Sequence, residues 1–344
     1  MKVLLVEFHS LLDLSHHCGR ALESLGQKVK IFYTNEQSLW RHFIQILFPQ
    51  TQPYHRSQEF QEWINDRLVR EYQQFHPDLI FIIKGDDLFP ETLKRLKQLG
   101  CPKLINWLTD DPFIFQNLVE GFPFYDTVYT FDLWYKSRLE KNGARRVMFL
   151  PFACNPDVHK TISLSSKEKE IFGSDICFVG TTHAARIAFL KSLIEFDLAI
   201  WGEPFHQSPE TEVLQKRYRG RAGQKKMAKI YNASRIALNP QHPQSIEGVN
   251  MRTFEAAACG IFQLTDRKKY LVETFEEGKE IICYDDPGEA REMVRYYLTE
   301  EEKRIAIARR GQAKVHGQHT YYHRMQQVLK EISARSRGGV GVSL

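Results

Sequence analysis

Short apolar runs alternate with amphipathic stretches along most of the chain. In the first half the runs are 3–6, 29–33, 79–83, 104–108, 127–130 and 147–150. Between them lie stretches with helical spacing at 11–25 and 60–75, and a face made by Leu93, Leu96 and Leu99. The second half repeats the scheme. Its runs are 176–179, 198–201, 236–239, 261–265 and 280–284, separated by helical patterns at 185–194, 225–232, 251–259 and 289–298. Runs apolar throughout belong to strands buried on both faces, and their alternation with helices predicts parallel sheets covered on both sides. The expected fold class is α/β, with two doubly wound halves rather than one long sheet. Such halves bind ligands outside the carboxyl ends of their strands, in a cleft between them.

The stretch 151–173, PFACNPDVHKTISLSSKEKEIFG, breaks the pattern with prolines and a polar run. The expected division is a first domain at 1–155, a linker at 156–173, a second domain at 174–318, a C-terminal helix at 319–334 and a frayed tail at 335–344. A length of 344 residues suits two domains. The net charge of +5 is too small for a dedicated nucleic-acid coat but fits a local anion site. The six cysteines, at 18, 101, 154, 177, 259 and 283, show no Cys-x2-Cys spacing. Zinc ribbons and redox dithiols are therefore disfavoured, and the thiols read as reduced core residues. No apolar stretch is long enough for a membrane span, and MKVLLVE is charged too soon for a signal peptide. The expected location is the cytoplasm.

Residues 236–265, IALNPQHPQSIEGVNMRTFEAAACGIFQLT, carry the most chemistry. The expected order is strand, polar loop, helix from about Asn250, then a stop at Gly260. Asn250 suits the N-cap, Ala256, Ala257 and Ala258 are strong helix formers, and Gly260 suits the position after the helix. Glu247 falls in the loop and Glu255 in the helix. Amides near Gly248 and Met251 would leave the helix start as an anion site. A diphosphate there would bring hydroxyl-rich groups beside both carboxylates, which accept hydrogen bonds from vicinal hydroxyls. Two solvated glutamates would leave the same spacing. Arg252, one turn before Glu255, either pairs with it or reaches the diphosphate.

Gly180-Thr181-Thr182-His183-Ala184-Ala185-Arg186 follows the 176–179 strand. It reads either as a phosphate-contacting loop, with Arg186 bidentate, or as a plain strand-to-helix turn. Lys216, Arg217, Arg219, Arg221, Lys225, Lys226 and Lys229 form a cationic run, either a solvated face or partly a cleft wall. In the first half, His9, Ser10, Asp110 and Asp111 sit at the carboxyl ends of strand runs. There a carboxylate or imidazole can take a proton from an attacking hydroxyl. Asp111-Pro112 equally suits a cap or turn, and His16 and His17 an ordinary helix surface. Lys84-Gly85-Asp86-Asp87 is a weaker site of the same kind.

The second half resembles the spore-maturation (CgeB-like) glycosyltransferases, relatives of the retaining family-4 enzymes of GT-B fold. The matching pieces are Leu238-Asn239, then Asn250-Met251-Arg252-Thr253-Phe254-Glu255-Ala256-Ala257-Ala258-Cys259-Gly260, then Leu264-Thr265-Asp266, Tyr270-Leu271, Glu280-Ile281-Ile282-Cys283-Tyr284 and His319-Thr320-Tyr321-Tyr322-His323-Arg324. The resemblance covers about 175–330. It is looser over 100–155, through Asp110-Asp111-Pro112 and 125–132, and weak before that.

The resemblance implies two Rossmann-like domains, a cleft between them and a last helix crossing back to the first. It implies a glycosyltransferase that moves a sugar from a nucleotide diphosphate sugar to a glycan, protein or small-molecule acceptor. In the family pattern Glu247 lies near the donor sugar and Glu255 holds the ribose. Gly180, Thr181, Arg186, Gly248, Asn250 and Arg252 complete the donor set, with Asp110, Asp111 and His9 as catalytic candidates on the acceptor side. Retention of configuration is implied in the same way. No metal or other cofactor is expected if the helix end near Asn250, Arg186 and Arg252 suffice to hold the leaving diphosphate. The Asp-x-Asp of metal-dependent glycosyltransferases does not occur here. No nucleic-acid partner is expected. The rival readings are a sugar-nucleotide epimerase or hydrolase, and a non-catalytic carbohydrate-binding or structural protein.

Overall fold

The computed structural model describes residues 1–7, 14–34, 58–205, 208 and 211–338, without the side chains of 335–338. The chain divides into two compact units. The first is Met1–Pro151 with Arg324–Leu344, and the second is Phe152–His323.

The first unit holds β1 (Lys2–Glu7), β2 (Lys28–Tyr33), β3 (Leu79–Ile83), β4 (Leu104–Leu108), β5 (Thr127–Thr130) and β6 (Val147–Phe149). They form one parallel sheet in the order β2-β1-β3-β4-β5-β6. The order reverses between β1 and β3, so a switch point opens at their carboxyl ends. Every residue of β3 and β4 is buried, as expected of strands covered on both faces. The helices Leu14–Ser24, Gln58–Phe75 and Pro90–Gln98 fall where the sequence predicts helical faces.

The second unit holds β7 (Ile176–Val179), β8 (Leu198–Trp201), β9 (Ile236–Asn239), β10 (Phe262–Asp266) and β11 (Ile282–Tyr284). Its parallel order is β11-β10-β9-β7-β8, with the switch point between β7 and β9. Alternate residues feed opposite faces. Ile176, Phe178 and Ile200 join one apolar cluster, while Cys177, Val179 and Ala199 join the other. All six cysteines are buried and unbridged. Burial pushes the Cys177 thiol up to about 12, which fits inert core packing.

Several boundaries differ from the sequence expectation. Strand β11 starts at Ile282 rather than Glu280, because Glu280 closes a turn: its amide donates to the Glu276 carbonyl at 2.8 Å. The expected linker contains a helix, Ser166–Phe172, begun by a Ser165/Glu168 capping box and tied to Lys229 by a 2.8 Å ion pair. The helix expected from Asn250 begins at Arg252. The last helix runs from Tyr321 to Gly338, past the expected tail boundary. Within the first unit, Arg324 donates to the Pro151 carbonyl, Gln327 to that of Phe149, and Tyr129 to Glu331. Among the described residues, no helix is long and apolar enough to cross a membrane.

One close approach shapes the second switch point. Gly202 follows β8 with φ of +131°, and a Cβ there would lie 2.0 Å from the Gly180 carbonyl oxygen. Only glycine fits both the conformation and the space. Gly202→Ala is expected to cost about 2–4 kcal/mol in denaturant unfolding. A change too small to resolve would refute the close approach.

Candidate functional site

At the carboxyl edge of the second sheet, two arginines come together. Arg186 lies in the first turn of the helix Ala184–Lys191 and is buried, 7% exposed. Its Nε and Nη2 donate to the Pro240 carbonyl at 3.0 and 2.8 Å, and Nη1 donates to the Thr181 carbonyl at 2.9 Å. No carboxylate pairs with it among the described residues. Burial, then the Arg252 charge nearby, lower its pKa to about 10. Arg252 opens the helix Arg252–Ala258. Its Nε donates to the Val179 carbonyl at 3.3 Å, and its Nη1 pairs with Glu255. Burial works against the Arg252 charge, but Glu255 outweighs it and raises the pKa.

The loop between β9 and this helix is held by amide and hydroxyl side chains. The Gln241 amide N–H donates to Asp266 at 2.6 Å. Its Nε2 donates to the hydroxyls of Thr253 and Thr265 at 3.2 and 3.1 Å, and its Oε1 accepts from the Asn250 backbone at 2.8 Å. Asn239 donates to Thr253 at 3.1 Å and to Gln263 at 3.2 Å, and accepts from the Asn250 side chain at 2.9 Å. Asn250 is therefore recruited by Asn239 and Gln241 and does not cap the helix, whose N-cap is Met251 with no side-chain bond. The helix is seven residues long, two turns at most. Gly248 is buried. Glu247 stands in the loop, its carboxylate 3.3 Å from Lys269.

Glu255 is buried, 2% exposed. One oxygen engages Arg252, and the other lies 3.7 Å from Nε2 of His159, which is fully buried. Gly180 and Thr181 form the turn after β7, and exposed Thr181 bonds Arg186 through its carbonyl. The ring of His183 meets that of His242 edge-on at 4.8 Å. The cationic run is mostly spent on the protein itself. Arg221 pairs with Glu203, Lys229 with Glu168, Arg219 with Asp197 and Lys216 with Glu212. Arg217 and Lys226 donate to the Ile194 and Arg221 carbonyls.

In the first unit the candidates divide. His9 and Ser10 lie outside the described residues. Asp111 caps a short turn, its Oδ1 accepting from the Phe113 amide at 2.9 Å. Asp110 stands 3.6 Å from Lys84, which also pairs with Asp86 at 3.0 Å and lies over the Phe115 ring. Burial disfavours the Lys84 charge, but Asp86 and Asp110 outweigh it and raise the pKa. Thr34 donates to Asp87 at 2.9 Å. Burial, then Asp86, still raise the Asp87 pKa. The turn carries positive φ at Lys84 (63°) and Gly85 (88°), and Asn106 pins it by donating to the Lys84 carbonyl at 2.8 Å.

Sequence reasoning missed Asn106, His159, His242 and the Asn239–Gln241–Thr253–Gln263–Thr265 network. A signal for the network exists. Gln263 and Thr265 place polar groups on one face of an otherwise apolar strand, and Asn239 ends its neighbour.

The fold is shared with solved glycosyltransferase structures. Sucrose-phosphate synthase from Thermosynechococcus elongatus superposes with a TM-score of 0.70 at 13% identity, over 97% of this chain and 100% of that one. Anabaena HepE in complex with UDP-glucose gives 0.67 at 13% identity, over 97% and 100%. Residues 185–330 match the family model described as glycosyl transferase-like. Spore protein CgeB of Bacillus subtilis (strain 168) is 22% identical over 257 residues, 70% of this chain and 78% of that protein. The chain is a glycosyltransferase of the GT-B fold, related to CgeB.

The histidine pair of this glycosyltransferase gives its second switch point a pH signature. Burial, then Arg186 and His242, hold the His183 pKa at about 4 against an ordinary 6.5. Between these values the unfolded chain binds the proton and the folded chain does not. His183 therefore lowers stability progressively as pH falls from about 6.5 to about 4. His183→Asn, which cannot titrate, is expected to lose less melting temperature than the wild type between pH 7 and pH 5. Parallel losses in the two proteins would rule this out.

Proposed function

We propose that this glycosyltransferase takes its sugar from a nucleotide diphosphate sugar held at the carboxyl edge of β7 and β9. The observation that carries the reading is Arg186. A buried guanidinium that pairs with no carboxylate among the described residues and donates to carbonyl oxygens is costly alone and suited to an incoming anion. The bond from the sugar to the diphosphate breaks during transfer, and the leaving diphosphate gains charge. A cation already fixed in place stabilises that charge without reorganising. Thr181, exposed in the turn after Gly180, and Glu247, at the loop surface, stand where diphosphate and sugar hydroxyls would be met. HepE, whose structure contains UDP-glucose, supports the same donor class here.

Metal-independent transfer follows from assigning the leaving-group charge to arginine. Retention of configuration rests on the resemblance to family-4 enzymes. On the acceptor side the candidate is Asp110. Its carboxylate lies 3.6 Å from Lys84, whereas that of Asp111 caps a turn. It would accept the proton of the attacking hydroxyl.

Calorimetric titration with UDP, GDP, ADP and dTDP, each with magnesium and with EDTA, tests the donor reading. One diphosphate is expected to bind equally well in both buffers, and Arg186→Lys to bind it roughly tenfold more weakly. Absence of binding by all four would remove the reading. With donor and acceptor supplied, Asp110→Asn is expected to lower kcat by about 10²–10⁴ while leaving nucleotide affinity unchanged. Full activity in that variant would exclude Asp110.

A further inference from the structure

The family pattern gives the second glutamate, here Glu255, direct contact with the ribose. The geometry of this chain points elsewhere. Glu255 is 2% exposed; one oxygen engages Arg252, and the other lies 3.7 Å from Nε2 of His159. Arg252 sits on the outer side of the pair, with 19% of its side chain exposed. Nε is spent on the Val179 carbonyl and Nη1 on Glu255, which leaves the Nη2 edge without an acceptor among the described residues. That edge lies at the carboxyl end of β7, the strand beside the switch point. An arginine fork with one side fixed and one side open is built for bidentate contact with an anion.

We propose that Arg252 is the residue that meets the ligand's phosphate, and that Glu255 and His159 are positioning residues acting through it. His159 is the inner end of the relay. Its Nδ1 accepts from the Asn155 amide at 3.1 Å, so the ring hydrogen belongs on Nε2, facing Glu255. Burial keeps the ring below its ordinary pKa; Glu255 opposes this, and Arg252 and His316 add to it. The His159 ring lies 3.7 Å from one carboxylate oxygen, close enough to fix its place by packing, and the other oxygen is left for Arg252. Glu255 in turn balances the guanidinium, which is otherwise costly at this depth. The proposal rests on the donor reading above and refines which residue touches the donor.

The test is calorimetry with UDP, UMP and 2′-deoxy-UDP, or the guanosine or adenosine set if the wild type takes that base. The proteins are the full chain and its Arg252→Gln, Glu255→Gln and double variants. Each single variant is expected to weaken UDP binding by roughly tenfold, and the double variant to be no weaker than Arg252→Gln alone. UMP, with one phosphate fewer, is expected to lose less than about twofold. Glu255→Gln is expected to keep the wild-type ratio of UDP to 2′-deoxy-UDP affinity. If Glu255→Gln instead erases that ratio, or if the two losses multiply, the relay is wrong and Glu255 reads the ribose or acts alone. His159→Gln should show the same pattern more weakly, and it carries the test if Glu255→Gln does not fold. A wild type that binds no nucleoside diphosphate defeats the donor reading itself. A wild type that binds, with variants of the wrong pattern, defeats only the relay.

Discussion

Holding two guanidinium groups out of water at one sheet edge is the constraint that organises the second unit. Each would be prohibitively costly if left bare. Arg252 is neutralised by Glu255, a full opposite charge. Arg186 pairs with no carboxylate among the described residues and donates chiefly to the carbonyls of Pro240 and Thr181. Carbonyl dipoles compensate a charge only when they are held still, so the loop that begins at Pro240 has to be rigid. Gln241 supplies that rigidity. Its backbone binds Asp266, and its side chain bridges Thr253, Thr265 and Asn250. The buried polar network is thus the support for a cation that lacks a carboxylate. Its bonds pair donors with acceptors, although the buried Oδ1 of Asn250 has no partner among the described residues.

The first unit solves the reverse problem. At its sheet edge Lys84 stands among Asp86, Asp87 and Asp110. The Lys84 and Gly85 backbone is twisted to positive φ to make this turn, and Asn106 holds it from inside β4. Lys84 is thus surrounded by carboxylates, whereas Arg186 has a second guanidinium, Arg252, as a charged neighbour. An edge rich in carboxylate suits hydroxyl binding and proton removal and repels a diphosphate. An edge rich in guanidinium does the opposite. The two units differ in chemistry although both are doubly wound sheets, because fold fixes where a site lies and side chains fix what it does.

The sheets were legible in the sequence because strands buried on both faces must be apolar throughout, and such runs stand out against helical spacing. The helix cap was not. Asn250 has the right chemistry for a cap, but Gln241 and Asn239 claim its backbone and side chain, and local spacing does not reveal that competition. The site was legible by residue type and not by partnership. Arg186, Glu247, Arg252 and Glu255 stand out as charges at strand ends and helix starts. Their partners are the Pro240 carbonyl, Lys269, the Val179 carbonyl and His159, which come from elements brought together only by folding. His159 lay in a stretch that reads as a linker.

The spacing of Arg252 and Glu255 shows how a motif can keep its residues and exchange their roles. Three positions apart on a two-turn helix, a cation and a carboxylate face each other. Once the helix is buried, pairing is strongly favoured, since the Glu255 carboxylate has no water to fall back on. A carboxylate engaged in this way has little capacity left for ligand hydroxyls, while the arginine keeps an open edge. The contact with ligand therefore passes outward along the pair, from the residue named by the motif to the one that shields it. Had position 252 been uncharged, the Glu255 carboxylate would lose its charged partner, and an incoming hydroxyl could take that place. The role of the glutamate is decided by the side chain one turn before it.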